Sequence, residues 1–155
     1  GVGKTTLLAH IAEELLARSD VRTFYMPQNY AELLPRGCTS VGFLAPDGDK
    51  AAVTAARLLL GSAHFTREEM LAPIGALSGG QRAKLCLLRP ILSGADVLIL
   101  DEPTRNFSPL SNPVIRGILR GYGGAILSVS HDRKYLLEVT ETLYRQTPEG
   151  LRREW

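Results

Sequence analysis

Two adjacent carboxylates, Asp101 and Glu102, end the apolar run Val97-Leu98-Ile99-Leu100. A run of that kind suits a strand buried on both faces, and carboxylates at its end invite a counter-ion. In phosphoryl transfer the first carboxylate of such a pair holds Mg²⁺ and the next polarises the attacking water. Positioning and charge stabilisation are nearly all that the protein must supply there. The same residues also read as a strand followed by an acidic helix cap.

Near the start, Gly1-Val2-Gly3-Lys4-Thr5-Thr6 is the second half of a G-x-x-x-x-G-K-[ST] loop whose first glycine would precede the chain. Glycines let backbone N–H groups turn toward phosphate oxygens, and the helix dipole adds roughly 0.3–1 kcal/mol for an anion. Lys4 would reach the β- and γ-phosphates. The Thr5 hydroxyl would ligate Mg²⁺, and Thr6 would lie beside the α-phosphate. Alone, the fragment also reads as a glycine turn capping a helix. Leu77-Ser78-Gly79-Gly80-Gln81 is another anion site of backbone N–H groups at a helix start, or a plain helix cap. Two phosphate sites on one chain make sense if Ser78, Gly79, Gly80 and Gln81 serve a nucleotide held by a partner.

These residues need elements to carry them. Leu7, Leu8, Ile11, Leu15 and Leu16 recur at helical spacing between Lys4 and Arg18. Val21 to Gln28 reads as a strand. Residues 30–77 change character, with Pro35 and Gly37, a helix from about Asp49 to Leu60 stopped by Gly61, and a shorter helix opened by the capping-box pair Thr66 and Glu69. A helix follows Ser78 to about Leu92, with Pro90 expected to kink or loosen its last turn. Ser111 and Pro113 open another helix, Ala125 to Ser130 reads as a strand, and Thr142 to Trp155 reads as a hairpin around Pro148-Glu149-Gly150. Alternating strands and helices imply a mostly parallel sheet that binds ligands beyond the carboxyl ends of its strands.

At 155 residues, 45% apolar and 22% charged, the chain has the proportions of one ordinary globular domain. Its net charge of +2 gives no reason to infer nucleic-acid binding. Cys38 and Cys86 fit neither a zinc spacing nor a disulfide framework. No segment reaches the roughly 18 apolar residues of a membrane span, so a cytoplasmic location is expected. The first residue is Gly1 rather than Met, from which a truncated reading frame is expected.

Taken together, GKTT, Gln28 after a strand, LSGGQ, VLILDEP and Ser130-His131-Asp132 after a strand resemble the ATP-binding cassette ATPases from end to end. Lys4 to Gln28 is 24 positions, Gln28 to Ser78 is 50 and Ser78 to Asp101 is 23, so matches that are weak singly become specific jointly. The resemblance implies a P-loop NTPase-type α/β fold with helices on both faces, a small helical subdomain and a C-terminal β-hairpin. Residues 1–29 and 78–155 would form the nucleotide core, with its Walker A and Walker B motifs, and 30–77 the subdomain. It implies ATP and Mg²⁺ as cofactors, Gln28 as the residue reaching the metal and attacking water, and His131 as the histidine contacting the γ-phosphate. His10 and His64 match nothing in the pattern.

Gln81-Arg82-Ala83-Lys84-Leu85-Cys86-Leu87, Ser130 to Leu136 and the short insertion look like the ABC-F proteins, ribosome-associated cassette ATPases that work with a second cassette. Antibiotic resistance is among the roles the resemblance allows. One departure is that Asp101-Glu102-Pro103-Thr104 continues with Arg105-Asn106-Phe107-Ser108, where ABC-F proteins usually have Asn-His-Leu-Asp. Ser108 stands at the position of an aspartate that couples the two nucleotide sites. The alternatives are the ATPase subunit of a membrane transporter and a non-enzymatic binding module. A strand preceding Gly1 is expected beside Val97 to Leu100. Without it, the 155 residues are expected to expose an apolar edge, to fold poorly alone and to show no ATPase.

Overall fold

The computed structural model describes residues 2–30, 34–105 and 107–155, and of Val2 the backbone only. Helix α1 (Val2–Leu16) leads to strand β1 (Thr23–Met26). Helices α2 (Ser40–Leu44), α3 (Lys50–Ser62) and α4 (Arg67–Leu71) and a 3₁₀ turn at Ile74–Ala76 form the helical insertion. The remainder is α5 (Gly79–Leu92), β2 (Val97–Asp101), α6 (Asn112–Arg120), β3 (Ala125–Val129), α7 (Arg133–Val139) and the antiparallel hairpin β4 (Tyr144–Thr147) with β5 (Gly150–Arg153).

β2 lies between β1 and β3, parallel to both, with Met26 opposite Leu100 and Asp101 opposite Val129. Both edges of β2 are therefore occupied. This corrects the expectation of a further strand beside Val97 to Leu100: among the described residues the open edges of this sheet belong to β1 and β3. Alternation along β2 explains its unbroken apolar run. Leu98 and Leu100 face one core with Leu85, Leu87, Leu88, Ile115 and Tyr135, whereas Ile99 faces Leu8 and Ala12 of α1.

α1 is less amphipathic in place than its spacing predicts. Leu8 and Ala12 are buried, but Leu7 and Leu16 are 37% and 53% exposed. Three short strands offer it only a narrow surface. In the insertion, the Asp49 side chain caps α3 and the Thr66–Glu69 capping box forms on α4 as the sequence predicts. Gly61, by contrast, does not stop α3. The helix continues to Ser62 and the chain turns at His64, which takes a left-handed φ of 63°. α5 likewise remains helical through Pro90 to Leu92, and Ser93 and Ala95 N–H donate to the Arg89 and Pro90 carbonyls at 2.9 and 3.0 Å.

Candidate functional site

The carboxyl ends of β1, β2 and β3 and the first turn of α1 meet at one cavity of about 390 Å³, lined by Lys4, Thr5, Gln28, Asp101, Glu102, Arg105, Val129 and His131. Gly3, Lys4, Thr5 and Thr6 lie in the first turns of α1, and the side chain of Gln146 on β4 comes close to Gly3. Gly1 and the Val2 side chain lie outside the described residues.

Asp101, the last residue of β2, is 1% exposed. Its Oδ1 accepts from Gln28 Nε2 at 3.4 Å, while its Oδ2 is buried without a hydrogen-bond partner among the described residues. An orphaned carboxylate oxygen facing a wet cavity is costly unless something cationic completes it. The nearby Tyr25 hydroxyl is pushed above its ordinary pKa by burial and, secondarily, by the Asp101 charge.

Glu102 takes a left-handed φ of 51°, a conformation that costs a non-glycine residue about 1–3 kcal/mol and clusters at functional sites. The kink aims its carboxylate at the end of β3. Its backbone N–H donates to the Val129 carbonyl at 2.8 Å, its Oε2 accepts from the His131 backbone N–H at 3.2 Å, and its Oε1 is 3.4 Å from His131 Nε2. The Glu102 side chain is 15% exposed and the His131 ring 70%, so the acid is sheltered and the imidazole faces the cavity.

The turn behind this pair is pinned. Thr104 Oγ1 donates to Asp132 Oδ2 at 3.0 Å, and Asp132 Oδ1 caps α7 by accepting from the Lys134 and Tyr135 N–H groups at 3.0 and 3.2 Å. Thr104 and Asp132 thereby fix Glu102 and His131 relative to each other. Sequence reasoning missed Arg105, which enters the cavity and donates to Gln28 Oε1 at 3.0 Å. A basic residue three positions after Glu102 is no signal by itself, because its partner Gln28 is remote in sequence.

Ser78, Gly80 and Gln81 lie elsewhere, around a second cavity of about 490 Å³ that also takes in Glu69, Lys84, Ser108 and Ser111. Ser78 caps α5, accepting from the Gln81 N–H at 3.2 Å, with Gly79 and Gly80 in the first turn. Gln81 Nε2 also donates to Glu69. Desolvation works against the Glu69 carboxylate, but its bonds from Gln81 and Thr66 outweigh it and hold the pKa below the usual range. Lys84, buried on α5, gives its ammonium to the Ala63 carbonyl at 3.0 Å, and burial lowers its pKa despite nearby Glu69. Ser108 sits in this cavity as part of a Ser108–Ser111 turn leading into α6. The fold thus brings Lys4, Thr5, Gln28, Asp101, Glu102 and His131 together and keeps Ser78, Gly80 and Gln81 apart from them.

Residues 1–105 match the family model described as ABC transporter. The putative ATP-binding protein YdiF of Bacillus subtilis is 34% identical over 88% of the chain, and the tylosin resistance ATP-binding protein TlrC of Streptomyces fradiae 34% over 86%. ABC transporter F family member 5 of Arabidopsis thaliana is 28% identical over 90%. The aligned part is only 21–25% of those relatives' own lengths. Among solved structures, a dimeric ATP-binding cassette in a post-hydrolysis state with ADP and Pi aligns at TM-score 0.63 and 18% identity, over 79% of this chain and 58% of that one. A complex of an archaeal ribosomal stalk protein with an archaeal ribosome recycling factor aligns at 0.70 and 20%, over 92% and 29%. These structural likenesses bear on the fold alone. The chain belongs to the ABC transporter family, as an ABC ATPase cassette akin to the ABC-F proteins.

Proposed function

We propose that the protein containing this chain hydrolyses ATP at a composite site, with Gly1, Val2, Gly3, Lys4, Thr5 and Thr6 holding the nucleotide and a facing cassette closing over it with its own Ser78–Gln81 equivalent. Residues 1–29 and 78–155 act as the nucleotide core and 30–77 as the helical subdomain. The observation that carries this reading is the convergence of Lys4, Thr5, Gln28, Asp101, Glu102 and His131 on one cavity at the strand ends.

The residues fit a magnesium ion. Thr5, Gln28 and Asp101 offer hydroxyl, amide and carboxylate oxygens, the hard donors that Mg²⁺ takes, and the orphaned Asp101 Oδ2 is a buried anionic oxygen lacking a partner. Bound there, the ion would neutralise charge on the phosphates. Lys4 binds the terminal phosphates. Glu102 orients water for in-line attack, its carboxylate held by the His131 backbone N–H, and His131 directs its ring at the charge growing on the γ-phosphate. The Ser78–Gln81 helix start faces outward from a separate cavity, which suits a nucleotide carried by the opposite cassette.

The hydrolysis drives a shape switch that acts on the ribosome, in the cytoplasm. Supporting this finer reading are the ABC-F kinship and the relative named for tylosin resistance. Among the described residues no helix is long and apolar enough to cross a membrane.

Glu102→Gln in the full-length protein tests the site. Loss of a preorganised group of this kind costs roughly 2.7–4 kcal/mol, or about 10²–10³ in turnover. Hydrolysis is expected to fall by that factor while ATP binding persists, and the variant is expected to co-sediment with ribosomes in ATP but not in ADP. Parental turnover would remove Glu102 from its role. Nucleotide-independent sedimentation would remove the ribosomal switch.

A further inference from the structure

Arg105 has no part in the scheme above, yet its side chain is tied to Gln28, a residue of the cavity whose amide could turn either way. Gln28 presents a carbonyl oxygen and an NH₂ group, and its neighbours decide between them. A guanidinium only donates and a carboxylate only accepts. Gln28 Oε1 must therefore face Arg105 Nη1, at 3.0 Å, and Gln28 Nε2 must face Asp101 Oδ1, at 3.4 Å. The oxygen that would serve a metal is thus already taken by a cation.

Arg105 is well placed to hold it. Its backbone N–H donates to the Glu102 carbonyl at 3.2 Å, and it follows the buried Pro103 and Thr104, the latter anchored on Asp132. The guanidinium itself is exposed and lines the same cavity as Lys4 and Thr5. Its bond to Gln28 is one of cation to neutral amide. A phosphate oxygen entering the cavity offers a charge-assisted and bidentate partner, a stronger bond for the same fork of donors.

We propose that Arg105 is a positioning residue that parks the Gln28 carbonyl and releases it when a terminal phosphate takes the guanidinium. This inference rests on the ATP-binding reading above and deepens it. Arg105 then contributes to binding only when a third phosphate is present. The backbone N–H groups of the Lys4 loop, by contrast, would serve ATP and ADP alike. Gln28 becomes free to turn its oxygen only after the triphosphate has bound, so the order of events is built into two side chains. The exchange also explains why a second cation is useful beside Lys4: Lys4 reaches the β-phosphate of either nucleotide as well as the γ-phosphate, whereas Arg105 answers to the third phosphate alone.

The test is nucleotide binding by the full-length protein, read by titration with a fluorescent non-hydrolysable ATP analogue and the matching ADP analogue, each in chelator and in Mg²⁺. For Arg105→Gln, triphosphate affinity is expected to fall roughly tenfold with diphosphate affinity within about twofold of parental, as for loss of one hydrogen bond to a charged group. Arg105→Lys keeps a point charge and is expected to recover part of that loss. Gln28→Ala frees the guanidinium beforehand, so triphosphate affinity in chelator is expected to rise severalfold, and only while Arg105 is present. An Arg105→Gln protein that loses both affinities equally, or neither, overturns the proposal. So does a Gln28→Ala gain that survives in the Gln28→Ala/Arg105→Gln double variant. Lys4→Ala separates the two levels of inference: if it leaves nucleotide binding intact, the ATP site itself is misassigned and Arg105 falls with it. If Lys4→Ala abolishes binding and Arg105→Gln is silent, Arg105 alone is refuted.

Discussion

The two faces of the three-stranded sheet are built very differently. On one, α1 covers Ile99 with Leu8 and Ala12, and these three residues are the whole of that buried cluster among the described residues. On the other, Leu98 and Leu100 enter a core that runs from Tyr135 and Ile115 through α5 to Leu60 and Ile74 of the insertion. The catalytic candidates straddle the thin side: Lys4 and Thr5 come from α1, while Asp101 and Glu102 end the strand that both faces share. The Ser78 helix start stands instead on α5, where Ala83 and Leu85 to Leu88 are buried in succession. The arrangement pairs a heavily packed platform under one candidate site with a lightly packed wall beside the other.

Side-chain truncation on each face of the sheet would measure that contrast. Leu98→Ala on the thick face is expected to destabilise by about 3–5 kcal/mol, since a fully buried leucine leaves a cavity that its neighbours cannot fill. Leu8→Ala, where the cluster is small and its flanking side chains Leu15, Tyr25, Val97 and Val129 are only partly buried, is expected near 2 kcal/mol or below. Urea unfolding of both variants checks the ranking, and equal losses would erase the distinction between the faces.

Alkaline pH should select the thick face as well. Burial pushes the Cys86 thiol up to about 12, and it pushes the Tyr135 hydroxyl up to about 12 against a smaller opposing effect of its bond to Ser128. Both groups are neutral in the native state and ionise more readily once unfolded. Their contribution to stability is therefore complete below about pH 9 and declines as pH rises toward 12, approaching ~1.4 kcal/mol per pH unit for each group. The urea midpoint is expected to fall over that interval, and Cys86→Ala to flatten the early part of the fall. At pH 8 the native Cys86 should resist alkylation while the half-buried Cys38 reacts. Rapid labelling of Cys86 would mean that the core around Tyr30, whose carbonyl accepts its thiol, opens freely.

The same contrast sorts what could be read from the sequence. Local signals were legible: Asp49, Thr66 and Ser78 each cap the helix that follows, because an N-cap needs only residues within one turn. The unbroken apolar run of β2 correctly implied a strand buried on both faces. The motifs that share the main cavity were identifiable as a set because their order and spacing match one family pattern. What failed depended on tertiary surroundings. Gly61 sits inside α3 because Leu60 and Ala63 are held in the core on either side of it, and packing overrides a weak local stop. Leu7 and Leu16 kept the helical period of α1 but stay exposed, with no strand packed on them among the described residues. The neighbours of β2 are set by crossover connections, which hydropathy does not encode, so the expected partner beside Val97 to Leu100 was misplaced. Arg105 was invisible for the same reason, its partner Gln28 being 77 positions away.

Caps on the two regions offer the finest comparison, at about 1 kcal/mol. Thr66→Ala removes the hydroxyl half of the α4 capping box, leaving the bond from the Thr66 N–H to Glu69 in place, and is expected to cost about 1 kcal/mol of stability with nucleotide binding unchanged, since the box is solvent-exposed and remote from the main cavity. Thr104→Val is expected to cost a similar 0.5–1.5 kcal/mol, roughly one hydrogen bond, but with a different signature. Thr104 Oγ1 holds Asp132, Asp132 caps α7, and the turn between Ser130 and Asp132 carries His131 to within 3.4 Å of Glu102. Loosening that link should leave nucleotide affinity near parental while lowering the turnover of the full-length protein severalfold, because a displaced imidazole weakens positioning without removing a binding group. Unfolding and steady-state hydrolysis of the two variants therefore give the same number on the first axis and different numbers on the second. Matching turnover in both would show that the Thr104–Asp132 bond supports the fold alone, and that the geometry of Glu102 and His131 is fixed by the left-handed turn at Glu102 itself.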